Sequence, residues 1–150
     1  ALHRLTCAPG VYELTATHVT PAPLEAVWEL WSDLTAQPAW DPGMRQVLLD
    51  GPFVAGTTGQ AKRSGSLSGP FRIASVDAPH GWVTTTTLPG GELRRAYRLE
   101  AVDGGTRLTV AYRADGPLEL LHRLMWGPLA RRSLPATWAA LDARLGAVGT

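Results

Sequence analysis

Hydrophobic and polar positions change period three times along the chain. Tyr12 to Val19 is rich in Thr and Val with Tyr and Leu, which predicts a strand. Pro21 and Pro23 block its continuation and suit a helix start, with Pro23 read as the first helical residue. Apolar residues then fall at Leu24, Val27, Trp28, Trp31 and Leu34, the spacing of one helical face. Pro38 ends the short helix that follows, and Asp41-Pro42-Gly43 is turn chemistry.

Beyond Gly43 the pattern becomes short strands and tight turns. Met44 to Leu49, Thr57 to Arg63, Phe71 to Val76 and Trp82 to Leu88 are strand candidates, while Leu93 to Val102 and Thr106 to Arg113 are longer and clearer. Turn residues punctuate them at Asp50-Gly51-Pro52, Gly65 to Gly69, Pro79 to Gly81, Pro89-Gly90-Gly91 and Asp103-Gly104-Gly105. Strands joined in this way form an antiparallel meander. From Leu118 to Leu145 the period is helical again, with apolar residues at Leu118, Leu121, Met125, Leu129, Leu134, Trp138, Leu141 and Leu145. Gly127-Pro128 and Pro135 interrupt that helix, and a kink or break is expected near one of them.

This order predicts an α+β domain: a strand, two short helices, a meander and a long C-terminal helix, with about seven strands in one sheet. The meander must bury one face, and the terminal helix is the large apolar partner for it. A strongly curved sheet and a straight helix diverge at one end, and that gap is the expected pocket.

Composition narrows the partners. The chain has 150 residues and a formal charge of +1, which gives no electrostatic reason to expect nucleic acid. Lys62 is the only lysine, Ile73 the only isoleucine, and asparagine is absent, which reads as the codon bias of a GC-rich bacterial genome. Cys7 is the only cysteine, so an internal disulfide and a cysteine-based metal site are excluded and a cytoplasmic location is expected. The four histidines lack metal-ligand spacing, so no metal is expected, and no apolar run suits membrane insertion. Residues 1–10 lack the apolar core of a signal peptide and are expected to form a loosely attached, disordered leader to a single domain over 11–148.

Several short segments carry a family resemblance. They are Pro23-Leu24-Glu25-Ala26-Val27-Trp28, Ser32-Asp33-Leu34 and Trp40-Asp41-Pro42, then Asp77-Ala78-Pro79, Gly104-Gly105-Thr106-Arg107-Leu108-Thr109 and Asp115-Gly116-Pro117-Leu118. In this order and spacing the chain resembles the START-like, birch-pollen-allergen-like superfamily (SRPBCC), and within it the polyketide cyclase/dehydrase and lipid-transport group. The resemblance covers about residues 11–146. It implies a helix-grip fold, a curved antiparallel sheet wrapped around the C-terminal helix. It implies no catalytic motif, because the superfamily includes cyclases, lipid carriers, receptors and chaperone activators on one scaffold. No organic cofactor is implied.

Alternation sorts the inward side chains. Leu93, Arg95, Tyr97 and Leu99 share the more apolar face of their strand, and Leu108, Val110 and Tyr112 share that of the next. Phe71, Ile73 and Ser75 form a third inward row. The run Thr84-Thr85-Thr86-Thr87 places two hydroxyls on each face in either register, and the inward register of residues 57–63 and 82–88 stays open. Arg95 can hold an enolate, carboxylate or phenolate through its donor fork, or it snorkels to water. Tyr97 and Tyr112 can orient a polar ligand group or serve as core residues with satisfied hydroxyls. His122, on the terminal helix, is a general acid–base candidate or a solvated rim residue. The catalytic candidates are thus Arg95, Tyr97, Tyr112 and His122. The ligand-binding set adds Trp40 at the mouth, Phe71, Ile73, Thr84, Thr86, Met125, Trp126 and Leu129. Trp28, Trp31 and Trp138 are assigned to the core, and Asp33 and Asp41 to cap and turn.

Three functions compete at this point. The first is a carrier or sensor of a hydrophobic or aromatic small molecule. The second is an aromatase/cyclase that performs an intramolecular aldol condensation and dehydration on a polyketide intermediate. The third is a protein-interaction module using the terminal helix. A dimer is compatible with each.

Overall fold

The first long strand pairs with the last, which closes a sheet that otherwise runs in simple chain order. The computed structural model describes residues 2–3, 7–8, 11–63, 69–88, 91–115 and 133–146. Two brief bridges, β1 (Leu2–His3) and β2 (Cys7–Ala8), both pair with β3 (Val11–Thr20). Helix α1 (Leu24–Ser32) and a 3-10 helix (Leu34–Ala39) follow. The meander comprises β4 (Met44–Leu49), β5 (Thr58–Arg63), β6 (Gly69–Asp77), β7 (Gly81–Leu88), β8 (Gly91–Val102) and β9 (Gly105–Asp115). Residues 133–146 form helix α2. The sheet order is β1-β3-β9-β8-β7-β6-β5-β4, all antiparallel, with β2 also on β3. The seven long strands and two short helices are the helix-grip arrangement expected from the sequence.

Local chemistry explains the boundaries. Pro23 is the N-cap of α1 rather than its first helical residue, because its extended backbone (ψ 157°) precedes the first helical turn. Its carbonyl accepts the first helical hydrogen bond, from the Val27 N–H at 3.1 Å. The backbone leaves the helix at Asp33, and Pro38 lies inside the 3-10 segment that follows. The β8–β9 loop is Asp103-Gly104, where Gly104 takes φ +83°, a conformation that suits glycine in a tight hairpin.

Alternation holds along β8 and β9. Leu93, Leu99, Leu108, Val110, Tyr112 and Ala114 are buried, while Arg94, Arg98, Glu100 and Arg113 are exposed. On β6 the expected row fails after Ile73. A bulge between Ile73 and Ser75 shifts the register, so Ser75 faces solvent and Val76 packs on the core instead. A second irregularity, between Met44 and Gln46, breaks alternation on β4 in the same way. Such bulges bend a sheet, and these two lie on the side of the sheet farthest from β3.

Trp31 is the centre of the core. It is 3% exposed and meets three rings edge to face: Trp82 at 5.1 Å, Tyr97 at 5.3 Å and Trp138 of α2 at 6.1 Å. Trp28 is only partly buried, against Phe53 and Trp82. Helix α2 buries Leu134, Thr137, Trp138, Leu141 and Leu145, one face at helical spacing, and Pro135 lies within its helical residues. Trp138 also stacks on His18 of β3 at 5.3 Å, and His18 Nε2 lies 2.9 Å from Asp142 Oδ2. Residues 118–132, including Gly127-Pro128, lie outside the described residues.

Candidate functional site

Two cross-strand rows on the concave face build the site. One runs Ile73–Thr84–Arg95–Tyr112–Leu14, from β6 through β7, β8 and β9 to β3. Its neighbour runs Val76–Trp82–Tyr97–Val110–Ala16. Arg95 is therefore a cation in the middle of a buried row, with Thr84 on one side and Tyr112 on the other. Trp82 and Tyr97 stack face to face at 4.6 Å and 15°, which fixes both rings on the sheet.

These side chains converge on a cavity of ≈ 30 Å³ whose polar and aromatic lining is Gln37, Arg63, Phe71, Trp82, Thr84, Arg95 and Tyr97. Leu34 and Met44 close it from the 3-10 helix and the start of β4. The space holds about two waters or one small polar group.

Arg63 was not among the residues singled out from the sequence. It points inward because Gly59 and Ala61, the more buried residues of β5, share its parity. It donates a hydrogen bond to Tyr97. Burial acts to lower the Arg63 pKa, but Tyr112, Tyr97 and Asp41 outweigh it, so the guanidinium is held more firmly charged than usual. Arg95 is shifted the other way, first by burial and then by the Arg63 charge. Both side chains are half-buried by surface area, yet enough protein surrounds the guanidiniums for desolvation to act most strongly on each. Burial pushes the Tyr112 phenol up, so it holds its proton at neutral pH.

Asp41 braces this group from outside the cavity lining. Its side chain is 2% exposed and fully engaged. Oδ2 accepts from Gln37 Nε2 at 2.7 Å, and Oδ1 accepts from the Gly43 N–H and the Thr137 hydroxyl, each at 2.8 Å. The turn residue foreseen in the sequence thus also fastens α2 to the turn. Asp33 is an exposed cap residue that accepts from Thr35.

The remaining sequence candidates disperse. Ile73 is fully buried in the core, and Thr86 bonds to the Pro70 carbonyl at 3.0 Å without lining the cavity. Trp40 caps the 3-10 helix and is partly buried against the core, likewise away from the cavity lining. Tyr112 is 9% exposed and pairs with Arg95 across β8 and β9 without lining the cavity. His122, Met125, Trp126 and Leu129 lie outside the described residues.

Comparison with known proteins supports this architecture. The family model described as polyketide cyclase/dehydrase and lipid transport matches residues 12–146. No curated protein sequence gives a significant match. Among solved structures, the Zhui aromatase/cyclase from a Streptomyces species superposes with a TM-score of 0.75 at 14% identity, covering 91% of this chain and 94% of that one. The protein TTHA0849 from Thermus thermophilus gives 0.71 at 16% identity, covering 92% and 99%. Ara h 8.0201 gives 0.63 at 14% identity, again covering 92% and 99%. At such identities the likeness is one of fold. The family match over nearly the whole chain shows that this protein belongs to the polyketide cyclase/dehydrase and lipid transport family.

Proposed function

We propose that this protein binds a hydrophobic or aromatic small molecule, polyketide- or lipid-like, on the concave face of its sheet, as a carrier or sensor. The observation that carries this reading is the convergence of Phe71, Trp82, Thr84, Arg95 and Tyr97, from three adjacent strands, on one cavity beneath Leu34 and Met44. Aromatic walls with a few convergent polar groups are the usual make-up of a small-molecule site. A cavity of ≈ 30 Å³ seats part of a ligand, whereas a whole ligand occupies roughly 300–1,000 Å³. Binding of a whole ligand therefore requires this interior to widen. Incubation with aromatic polyketides, fatty acids and flavonoids, followed by thermal-shift and native mass measurements, tests the proposal. Stabilisation with a matching mass increment is expected, and no stabilisation by any class contradicts it.

The hydrogen-bonded pair Arg63–Tyr97, with Arg95 and Tyr112 close by, favours a second reading: an aromatase/cyclase-type enzyme. In an intramolecular aldol step, a base such as water takes a proton from the carbon between two carbonyls, and the enolate carbon attacks a distant ketone and closes the ring. The alkoxide takes up a proton, and loss of water then leaves a double bond in the ring. The guanidiniums would hold the enolate oxygen. Tyr97, whose side chain lines the cavity, would donate to the forming alkoxide. Folding a flexible chain into reacting geometry supplies much of such a rate gain. Unchanged turnover of a poly-β-ketone substrate in an Arg95→Met variant would remove this role.

A further inference from the structure

We infer that the ligand of this interior carries a carboxylate, seated between Arg63 and Arg95, with its aromatic body against Phe71, Trp82 and Tyr97. The inference rests on the small-molecule reading above and names the ligand's chemical class.

Arg63 and Arg95 belong to β5 and β8, three strands apart, and the row of Arg95 (Thr84, Ile73) reaches the start of β5 at Thr57, six residues from Arg63. Two long side chains from such distant positions nevertheless line one cavity of ≈ 30 Å³. Among the described lining residues there are two cations and no Asp or Glu. Asp41, the carboxylate that acts on Arg63, stands outside the lining with its oxygens already engaged by Gln37, Gly43 and Thr137. Each guanidinium is also repelled by the other, since the Arg63 charge helps to lower Arg95.

The rest of the lining is rich in donors. Trp82 is 2% exposed, and its indole Nε1 has no hydrogen-bond partner among the described residues. Thr84 contributes a hydroxyl. An acceptor that is anionic, planar and small matches this set. A carboxylate meets each condition, because a guanidinium fork and a carboxylate pair edge to edge through parallel N–H···O bonds. The cavity's size suits a head group rather than a whole ligand. Phe71 and the stacked Trp82–Tyr97 pair form the adjacent aromatic wall.

The test is calorimetric titration of the full chain with naphthoate and with its primary amide, which share the ring and differ in charge. The acid should bind about ten-fold or more tightly than the amide. Arg95→Met should erase that preference, and Arg95→Lys should keep part of it. Arg63→Met should act like Arg95→Met. If Arg63→Met does not fold, the two Arg95 variants decide the attribution. Equal affinity for acid and amide, or a preference that survives Arg95→Met, overturns the carboxylate seat and leaves the small-molecule reading standing. Binding of neither compound at millimolar concentration overturns the carboxylate seat, and the small-molecule reading falls with it only if aromatic polyketides, fatty acids and flavonoids also fail to bind.

Discussion

Asp41 and Thr137 lie 96 residues apart in sequence and share a buried hydrogen bond of 2.8 Å. It joins the turn after the 3-10 helix to the terminal helix, so the cover of the cavity and the helix that grips the sheet are fastened at one carboxylate. Thr137→Val should lower the unfolding free energy by about 1–2 kcal/mol, because one donor to a buried charge is lost. Asp41→Ala should cost about 3 kcal/mol, since the Gln37 amide, the Gly43 N–H and the Thr137 hydroxyl all lose their acceptor. Urea denaturation of the two variants checks this. An unchanged midpoint for Thr137→Val would show that the clasp is not a determinant of stability.

Gly59 is required by close approach rather than by backbone conformation. A Cβ there would stand 2.4 Å from the Leu48 carbonyl oxygen and 2.7 Å from Phe71 Cζ. Gly59→Ala should therefore cost about 1–3 kcal/mol, as overpacking does. It should also displace the Phe71 ring from the cavity wall and weaken ligand binding. Thermal denaturation and ligand titration of the same variant measure the two effects, and wild-type values in both would refute the account of this contact.

The buried phenol of Tyr112 predicts a pH effect of definite sign. Its folded pKa lies above the unfolded value of about 10, chiefly because burial penalises the phenolate. Its contribution is fully present below that unfolded value and is lost as pH rises through the folded one. Stability should thus fall in the alkaline range above about pH 10, and Tyr112→Phe should remove that part of the slope. Denaturation series of both proteins across this range provide the measurement. Parallel slopes would contradict the shift.

The fold was legible where apolar alternation was strong. Leu93, Tyr97 and Leu99, and then Leu108, Val110 and Tyr112, fixed the inward faces of two strands and so the positions of Arg95, Tyr97 and Tyr112. Strand β5 has no such pattern. Thr58-Gly59-Gln60-Ala61-Lys62-Arg63 contains one apolar side chain, so Arg63 was missed although Ala61 shares its parity. The bulge at Ile73/Ser75 also left no local signal, and it reversed the expected facing of Ser75. Trp82 lies at the start of β7, and its large ring sets the inward register of the threonine run, which propensity alone left open. The Asp41–Thr137 clasp was invisible because it is non-local. Turn chemistry explains Asp41 without it.

The most direct test of the account is an NMR titration of the full chain with naphthoate, following side-chain and amide signals. The account predicts that the largest shifts fall on Phe71, Trp82, Thr84, Arg95 and Tyr97, with the Trp82 indole N–H among the most affected. Shifts confined to the convex-face arginines Arg94 and Arg98, or no shifts at millimolar ligand, would contradict it.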